Sequence, residues 1–486
     1  MGILRGGHRA LLVLMILTGL AIRVVLLPYS TGSDIPQFYG FTTTFLKYGL
    51  NFYQHAFPDS WIIDGWPYPW PYVYPPLPLL MFTVVRLFVF GMNVSVSYNE
   101  VNNTVYMVSG PVTTVLGSNY EILYVWVSKT WFVPLKVIFI VFDTLVCYLI
   151  YVISGRGCRG LIASTLYFLN PMTIYISSIY GMFDQVMIAF YLMSLCLLVR
   201  GKWGLSGVFA GLALVTKQTV IYPLTLLVIK CLRGISKVKY FMMGIAVSVL
   251  ITVLPFVANY ESLKAFLELV FTPSEPYITT PIFYSFNGVS SLCTFLYLNE
   301  GNDVYLLPIK LWFIPFVVLY GLLVLNCLFR RVMDVFEVSF LGYVCWTATY
   351  WRVNHQYLVP LIALAVLYVF TRRGKKFLRA LTLFLTLYIG LWFFMFPMGW
   401  WFKVHIYPNE VNWGLVNLWD TKLSLMIFED KVYVAYALVL TALQYAILIA
   451  NLTSATAFKS LVRTLRKKST LSTPKTHDHV DSKVNT

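Results

Sequence analysis

Asp34 stands in the segment Gly32-Ser33-Asp34-Ile35-Pro36-Gln37-Phe38-Tyr39, a few residues past the first long apolar run. A carboxylate held where lipid meets water has two uses. It caps a turn beside Ser33 and Pro36, or it takes the proton of a hydroxyl that attacks an electrophilic carbon. Arg23 lies about three helical turns back in the same run. An Arg inside an apolar span costs roughly 2.5–3.5 kcal/mol on insertion scales, so it either snorkels to headgroups or serves function. Lys136 and Asp143 lie two turns apart on one face of another run, where they pair through intervening groups or Lys136 meets a lipid phosphate. Asn170-Pro171 breaks a third run, and Asp184 opens the next, where a cap is the plainer role. Lys217-Gln218 is bounded by apolar residues on both sides, and a buried ammonium needs an anionic partner.

The clearest cluster is Trp351-Arg352-Val353-Asn354-His355-Gln356-Tyr357. If helical, it places Arg352, His355 and Gln356 on one face at i, i+3 and i+4. A cation, an imidazole and an amide grouped at headgroup level suit a phosphate. An interfacial belt of Trp, Tyr and Arg is the alternative, but a belt has no need of His and Gln together. A sugar carried on a lipid phosphate leaves readily once cations meet the phosphate, whereas an acceptor hydroxyl needs one base. Asp34 opposite Arg352, His355 and Lys217, with Arg23 or Lys136 in support, is a sufficient set for sugar transfer.

The elements that position these residues are membrane helices. Of 486 residues 59% are hydrophobic and only 12% charged, and mean hydropathy is +0.73. A soluble surface needs about twice that charge, so a soluble fold is excluded. The net charge of +16 comes from short basic clusters between apolar runs, a positive-inside pattern and not a nucleic-acid face. Seven cysteines are scattered without disulfide or metal-ligand spacing. Placing Arg5/Arg9, Arg156/Arg159, Arg200/Lys202, Arg233/Lys237, Arg330/Arg331, Arg372/Arg373 and the tail from Lys459 in the cytoplasm requires an even number of crossings between neighbouring clusters. The expected fold is an all-α polytopic membrane protein with about twelve transmembrane helices and both termini inside. The spans are roughly 10–28, 131–153, 161–178, 184–200, 204–217, 219–232, 239–258, 304–329, 335–350, 357–371, 378–397 and 431–451. The short pair 204–217 and 219–232 reads as half-helices meeting at Lys217-Gln218.

This layout makes residues 29–130 one long first outer loop with interfacial helices, entered by a Pro-rich run and holding Arg86. Most acidic residues fall in the outer segments 29–130, 259–303 and 398–430, so function belongs on that face. Residues 1–458 form a single transmembrane domain, and 459–486 form a basic disordered tail, in which His477-Asp478-His479 reads as solvated. Asn93-Val94-Ser95 and Asn102-Asn103-Thr104 are glycosylation sequons on the first loop.

The arrangement resembles the GT-C superfamily of polyprenyl-phosphate-sugar-dependent glycosyltransferases. Asp34 followed by Phe38-Tyr39 is similar to the acidic motif of that superfamily's first outer loop, and Tyr74-Pro75-Pro76-Leu77 to its YPPL element. Leu135-Lys136 with Asp143 resembles the start of its next crossing. Asn170-Pro171 followed by Phe183-Asp184-Gln185 resembles a motif shared by the dolichyl-phosphate-glucose α-glucosyltransferases and the first GPI mannosyltransferase. Lys217-Gln218 with Tyr222-Pro223, and His355-Gln356-Tyr357 with Pro360, are similar to later segments of the same enzymes. The resemblance implies inverting transfer of mannose or glucose from a polyprenyl- or dolichyl-phosphate donor to a glycolipid or glycan acceptor, outside the cytoplasm. Asp34 is then the general base. Arg352, His355, Gln356, Lys217, Gln218, Arg23 and Lys136 hold the donor phosphate and lipid, and Tyr39, Tyr74, Asn170, Asp184 and Tyr357 bind substrate. The second acid of several members is absent, as Ser33-Asp34-Ile35 shows. No cofactor is expected, a divalent cation being the only one the chemistry leaves open. A transporter or lipid flippase without catalysis is the competing class, and it predicts repeated halves that the sequence lacks.

Overall fold

The computed structural model describes residues 2–232, 235–271, 285–329, 334–371, 375–395, 406–408 and 430–453. Several expectations fall outside these residues: the tail with His477 and His479, the basic pairs Arg330/Arg331 and Arg372/Arg373, Arg233, and the outer stretches 272–284, 398–405 and 409–429. The described chain is mostly helical. Six helices are long and apolar enough to cross a membrane: Gly7–Leu26, Lys129–Ile153, Lys237–Val257, Asp303–Phe329, Lys376–Met395 and Asp430–Thr453. The expected spans 184–200, 204–217, 219–232, 335–350 and 357–371 are apolar helices as well, but each is shorter than a crossing requires.

The expected span 161–178 is not one helix. Its first helix, Gly157–Phe168, stops before Asn170-Pro171, because a residue preceding proline is pushed out of the helical region. Asn170 then caps the turn Pro171–Ile174 by accepting from the Met172 amide at 3.0 Å. Wide π-turns over Tyr175–Tyr180 follow, and Gly181 ends them at φ +85°. A Cβ at Gly181 would sit 2.5 Å from Ile35 Cδ1, so both conformation and space demand glycine there.

We label the elements that build the site. Helix α1 is Gly2–Leu26, α2 is Asp34–Tyr48 and α3 is Pro76–Phe90. Helix α4 is Lys129–Ile153, α5 is Asp184–Val199, α6 is Trp203–Thr216 and α7 is Ile221–Cys231. Helix α8 is Ile235–Val253, α9 is Tyr260–Phe271 and α10 is Val335–Thr349. The half-helix pair is present as read: α6 stops at Thr216, Lys217 is extended at φ −155°, and a 3-10 turn over Gln218–Val220 leads into α7. Helices α6 and α8 touch backbone to backbone through Gly207, Gly211 and Gly244. A Cβ at Gly207 would collide with the Phe241 carbonyl, and one at Gly244 with that of Gly204. Small residues at this spacing let helices close where no hydrophobic drive separates them from lipid.

The all-α expectation needs one correction. Residues 96–127 form an antiparallel meander: β1 Val96–Val101, β2 Thr104–Ser109, β3 Val112–Leu116 and β4 Ile122–Val127. A fifth strand, β5 Ile406–Pro408, pairs in parallel with β4, Tyr407 opposite Trp126. Met107, Val112, Thr114, Leu116, Val125 and Val127 alternate inward and are buried. The β1–β2 turn is Asn102-Asn103, both at positive φ (50° and 60°), the pairing a two-residue type I′ turn requires. The asparagine at the second sequon thus serves the hairpin. The meander lies against α2, with Gly110 packed on the Tyr39 hydroxyl.

Candidate active site

Helix α4 fixes the turn that carries Asp34. Trp131 Nε1 donates to the Ile35 carbonyl at 2.8 Å. Lys136, fully buried, spends its ammonium on three backbone carbonyls: Leu27 at 3.3 Å, Ile179 at 2.8 Å, and Ser30. Two of these belong to the α1–α2 turn and the third to the π-turns, so Lys136 laces the two irregular stretches together. The Gly32 amide adds a bond to the Tyr180 carbonyl at 2.7 Å. Deeper along α4, Asp143 meets Arg23 of α1: Nη2 lies 2.5 Å and Nε 2.9 Å from Oδ2. Tyr167 donates to the other oxygen at 2.6 Å. Both charges are fully buried, and the guanidinium also covers the Phe168 ring at 4.0 Å.

On this frame Asp34 opens α2, half-buried, with Oδ2 accepting from the Tyr180 hydroxyl at 2.5 Å. Ser33 Oγ lies 3.2 Å from the same hydroxyl. Lys217, left extended by the break between α6 and α7, makes a buried two-point ion pair with Asp184 at 2.9 and 2.8 Å. Its ammonium faces three rings: Tyr357 at 4.6 Å, Phe183 at 5.2 Å and Tyr74 at 5.8 Å. The His355 ring meets Tyr180 edge-on at 4.3 Å. Arg352 is exposed and makes no ion pair with a described residue. Irregular backbone in a membrane protein persists where it is covered by protein or lines a cavity. Here the breaks at 175–183, 217–220 and 350–357 gather around Asp34.

Burial pushes the Asp34 carboxyl above its ordinary value, and the Tyr180 hydrogen bond, then the charges of Lys217 and Arg352, pull against it. A base with a raised pKa loses activity as pH falls through that pKa. With Asp34 as the transfer base proposed below, replacing Tyr180 with Phe removes an opposing pull, so the acid limb of the kcat–pH profile should move to higher pH. Activity at acidic pH then falls more than activity at neutral pH. A limb that stays put would mean Tyr180 does not tune the carboxylate.

The expected residues divide into three groups. Asp34, Lys217, Asp184, Tyr74, Tyr357, Arg352 and His355 come together. The helical face expected for Arg352, His355 and Gln356 does not form: α10 ends at Thr349, and His355–Tyr357 is a single 3-10 turn. Ser285 holds this stretch instead, donating to the Trp351 carbonyl at 3.0 Å and accepting from the Val353 amide at 3.0 Å. Gln356 is buried and its Oε1 has no partner among the described residues. Gln218 donates to the Val73 carbonyl at 2.9 Å, and its Oε1 is likewise unpartnered among them.

Four other residues are committed elsewhere. Arg23 is ion-paired with Asp143, and Lys136 donates to three backbone carbonyls. Asn170 is a cap whose Nδ2 donates to the Thr386 carbonyl at 3.1 Å. Tyr39 is buried under Arg86, whose guanidinium lies 4.1 Å from its ring. Tyr180 was missed, since nothing in its local sequence separates it from the other tyrosines. Among the described residues no group of three or more His, Cys, Asp or Glu could hold a metal ion.

No curated protein matches the chain. Residues 122–349 match the model of glycosyltransferase family 87. The matched stretch carries Lys136, Asp143, Asp184 and Lys217, while Asp34 and Arg352 lie on either side of it. The match is to a GT-C-like family of membrane glycosyltransferases, and together with the apolar helices it supports a membrane glycosyltransferase.

Proposed function

We propose that the chain transfers a hexose, mannose or glucose, from a polyprenyl-phosphate donor to a glycolipid or glycan acceptor on the extracytoplasmic face, with inversion. One observation carries the reading: a half-buried carboxylate, fixed by Tyr180, stands within electrostatic reach of Lys217 and Arg352. The acceptor hydroxyl oxygen attacks the anomeric carbon, and its proton passes to Asp34. The bond from that carbon to the phosphate oxygen breaks on the opposite side, and the electron pair leaves with the lipid phosphate. Arg352, exposed and without an ion-pair partner among the described residues, meets that charge first. Lys217, paired with Asp184, adds its field to the same site. The Tyr74 and Tyr357 rings face its ammonium.

Purified protein supplied with radiolabelled polyprenyl-phosphate mannose or glucose and a panel of glycolipid acceptors should produce labelled glycolipid. Indifference to every lipid-linked donor would end the transferase reading.

A further inference from the structure

The segment 66–72 alternates aromatic residues with prolines, and most of its rings are packed away. Trp70 is the exception, and Tyr68 lies against it. Gln37, one turn beyond Asp34 on α2, holds the backbone of both. Its Nε2 donates to the carbonyls of Tyr68 at 3.2 Å and Trp70 at 2.8 Å, and its Oε1 accepts from the Tyr68 amide at 3.2 Å. The helix that presents the carboxylate therefore also sets the position of this pair. The two rings stack face to face, centroids 4.4 Å apart and 15° from parallel. Trp70 is 42% exposed, whereas Tyr68 is 5% exposed and its hydroxyl has no hydrogen-bond partner among the described residues. Asp34 is near enough for its charge, after burial, to raise the Tyr68 pKa, so the phenol stays protonated and able to donate.

We propose that Tyr68 and Trp70 form the acceptor-sugar subsite: the indole exchanges its stack on Tyr68 for a stack on a sugar ring, and the uncovered Tyr68 hydroxyl bonds a sugar hydroxyl beside Asp34. The subsite rests on the reading of Asp34 as the transfer base. A buried hydroxyl without a partner is unfavourable, and a ligand hydroxyl or an ordered water completes it. Neither side chain carries charge, so the pair suits no phosphate, and the cations Lys217 and Arg352 already serve that need. A flat aromatic face joined to a hydroxyl and a carboxylate matches a pyranose, which offers an apolar face of C–H bonds and a rim of hydroxyls.

The test uses the full chain in lipid nanodiscs with methyl α-D-mannopyranoside and methyl β-D-glucopyranoside as probes. Saturation-transfer NMR should show the ring protons of at least one glycoside in contact with the protein. Tyr68→Phe should weaken that binding about fivefold and Trp70→Ala about tenfold. Trp70→Phe, which keeps a ring, should restore much of it, and an unchanged Tm for all three variants separates lost contact from lost folding. In the transfer assay both first variants should raise acceptor KM and leave donor KM unaltered. Absence of saturation transfer in the wild type, or equal binding by wild type, Tyr68→Phe and Trp70→Ala, overturns the subsite. A wild type that binds a glycoside, loses it with Trp70→Ala, yet transfers from no lipid-linked donor overturns the transferase reading and its acceptor role, and leaves the pair a sugar-binding site only.

Discussion

Asp34→Asn is expected to lower kcat by a factor of about 10²–10⁴, the usual contribution of a positioned general base. Affinity for the lipid-linked donor should hold within a few-fold, because Lys217 and Arg352 are untouched and the amide fills the same space. The Tyr180 hydroxyl can still donate to the amide oxygen, so the turn keeps its shape. Single-turnover kinetics with donor binding measured separately would read both quantities. Retained turnover would remove Asp34 from the chemistry. Joint loss of binding and turnover would make it a structural cap at the start of α2.

Arg23→Met should produce the largest loss of stability. It strands the Asp143 carboxylate in a fully buried setting, with hydroxyl groups such as that of Tyr167 as its remaining partners. Breaking one side of a buried ion pair costs about 3–5 kcal/mol, whereas removing both charges together is close to neutral. Arg23→Met combined with Asp143→Leu should therefore recover most of the Tm lost by the single change, a non-additivity that a double-mutant cycle measures directly. If single and double variants melt alike, Arg23 acts through something other than its ion pair. The same cycle bears on function. Recovered fold with recovered transfer fits a scaffold role, and recovered fold without transfer would return Arg23 to the donor site.

How much of this was legible in the sequence depends on the range of the signal. Apolar run length carried the helices, since crossing a bilayer sets a local requirement on about twenty residues. The break at Lys217-Gln218 was legible because a polar pair between two short apolar stretches leaves few other arrangements. Partner choice was not. Lys136 and Asp143 lie two turns apart on one helix and invited pairing, yet Arg23 takes the carboxylate and carbonyls take the ammonium. That outcome depends on which irregular turns pack against α4, and spacing along one helix cannot report it. Tyr180 and Tyr68 were hidden for the same reason: a tyrosine among 34 gains its role only from the side chains that distant elements bring to it. The meander did leave a trace in Asn102-Asn103, which marks its first turn. The hydropathy of its surroundings outweighed that trace.

The pairing of β5 with β4 sets an order of events during synthesis. Strand β4 is complete by Val127, but the strand that covers its edge begins at Ile406, about 280 residues later. Until then the edge offers unpaired amides and carbonyls to any extended chain nearby. Truncations that stop short of residue 406 should accordingly aggregate through this edge, even when every helix before it has been inserted.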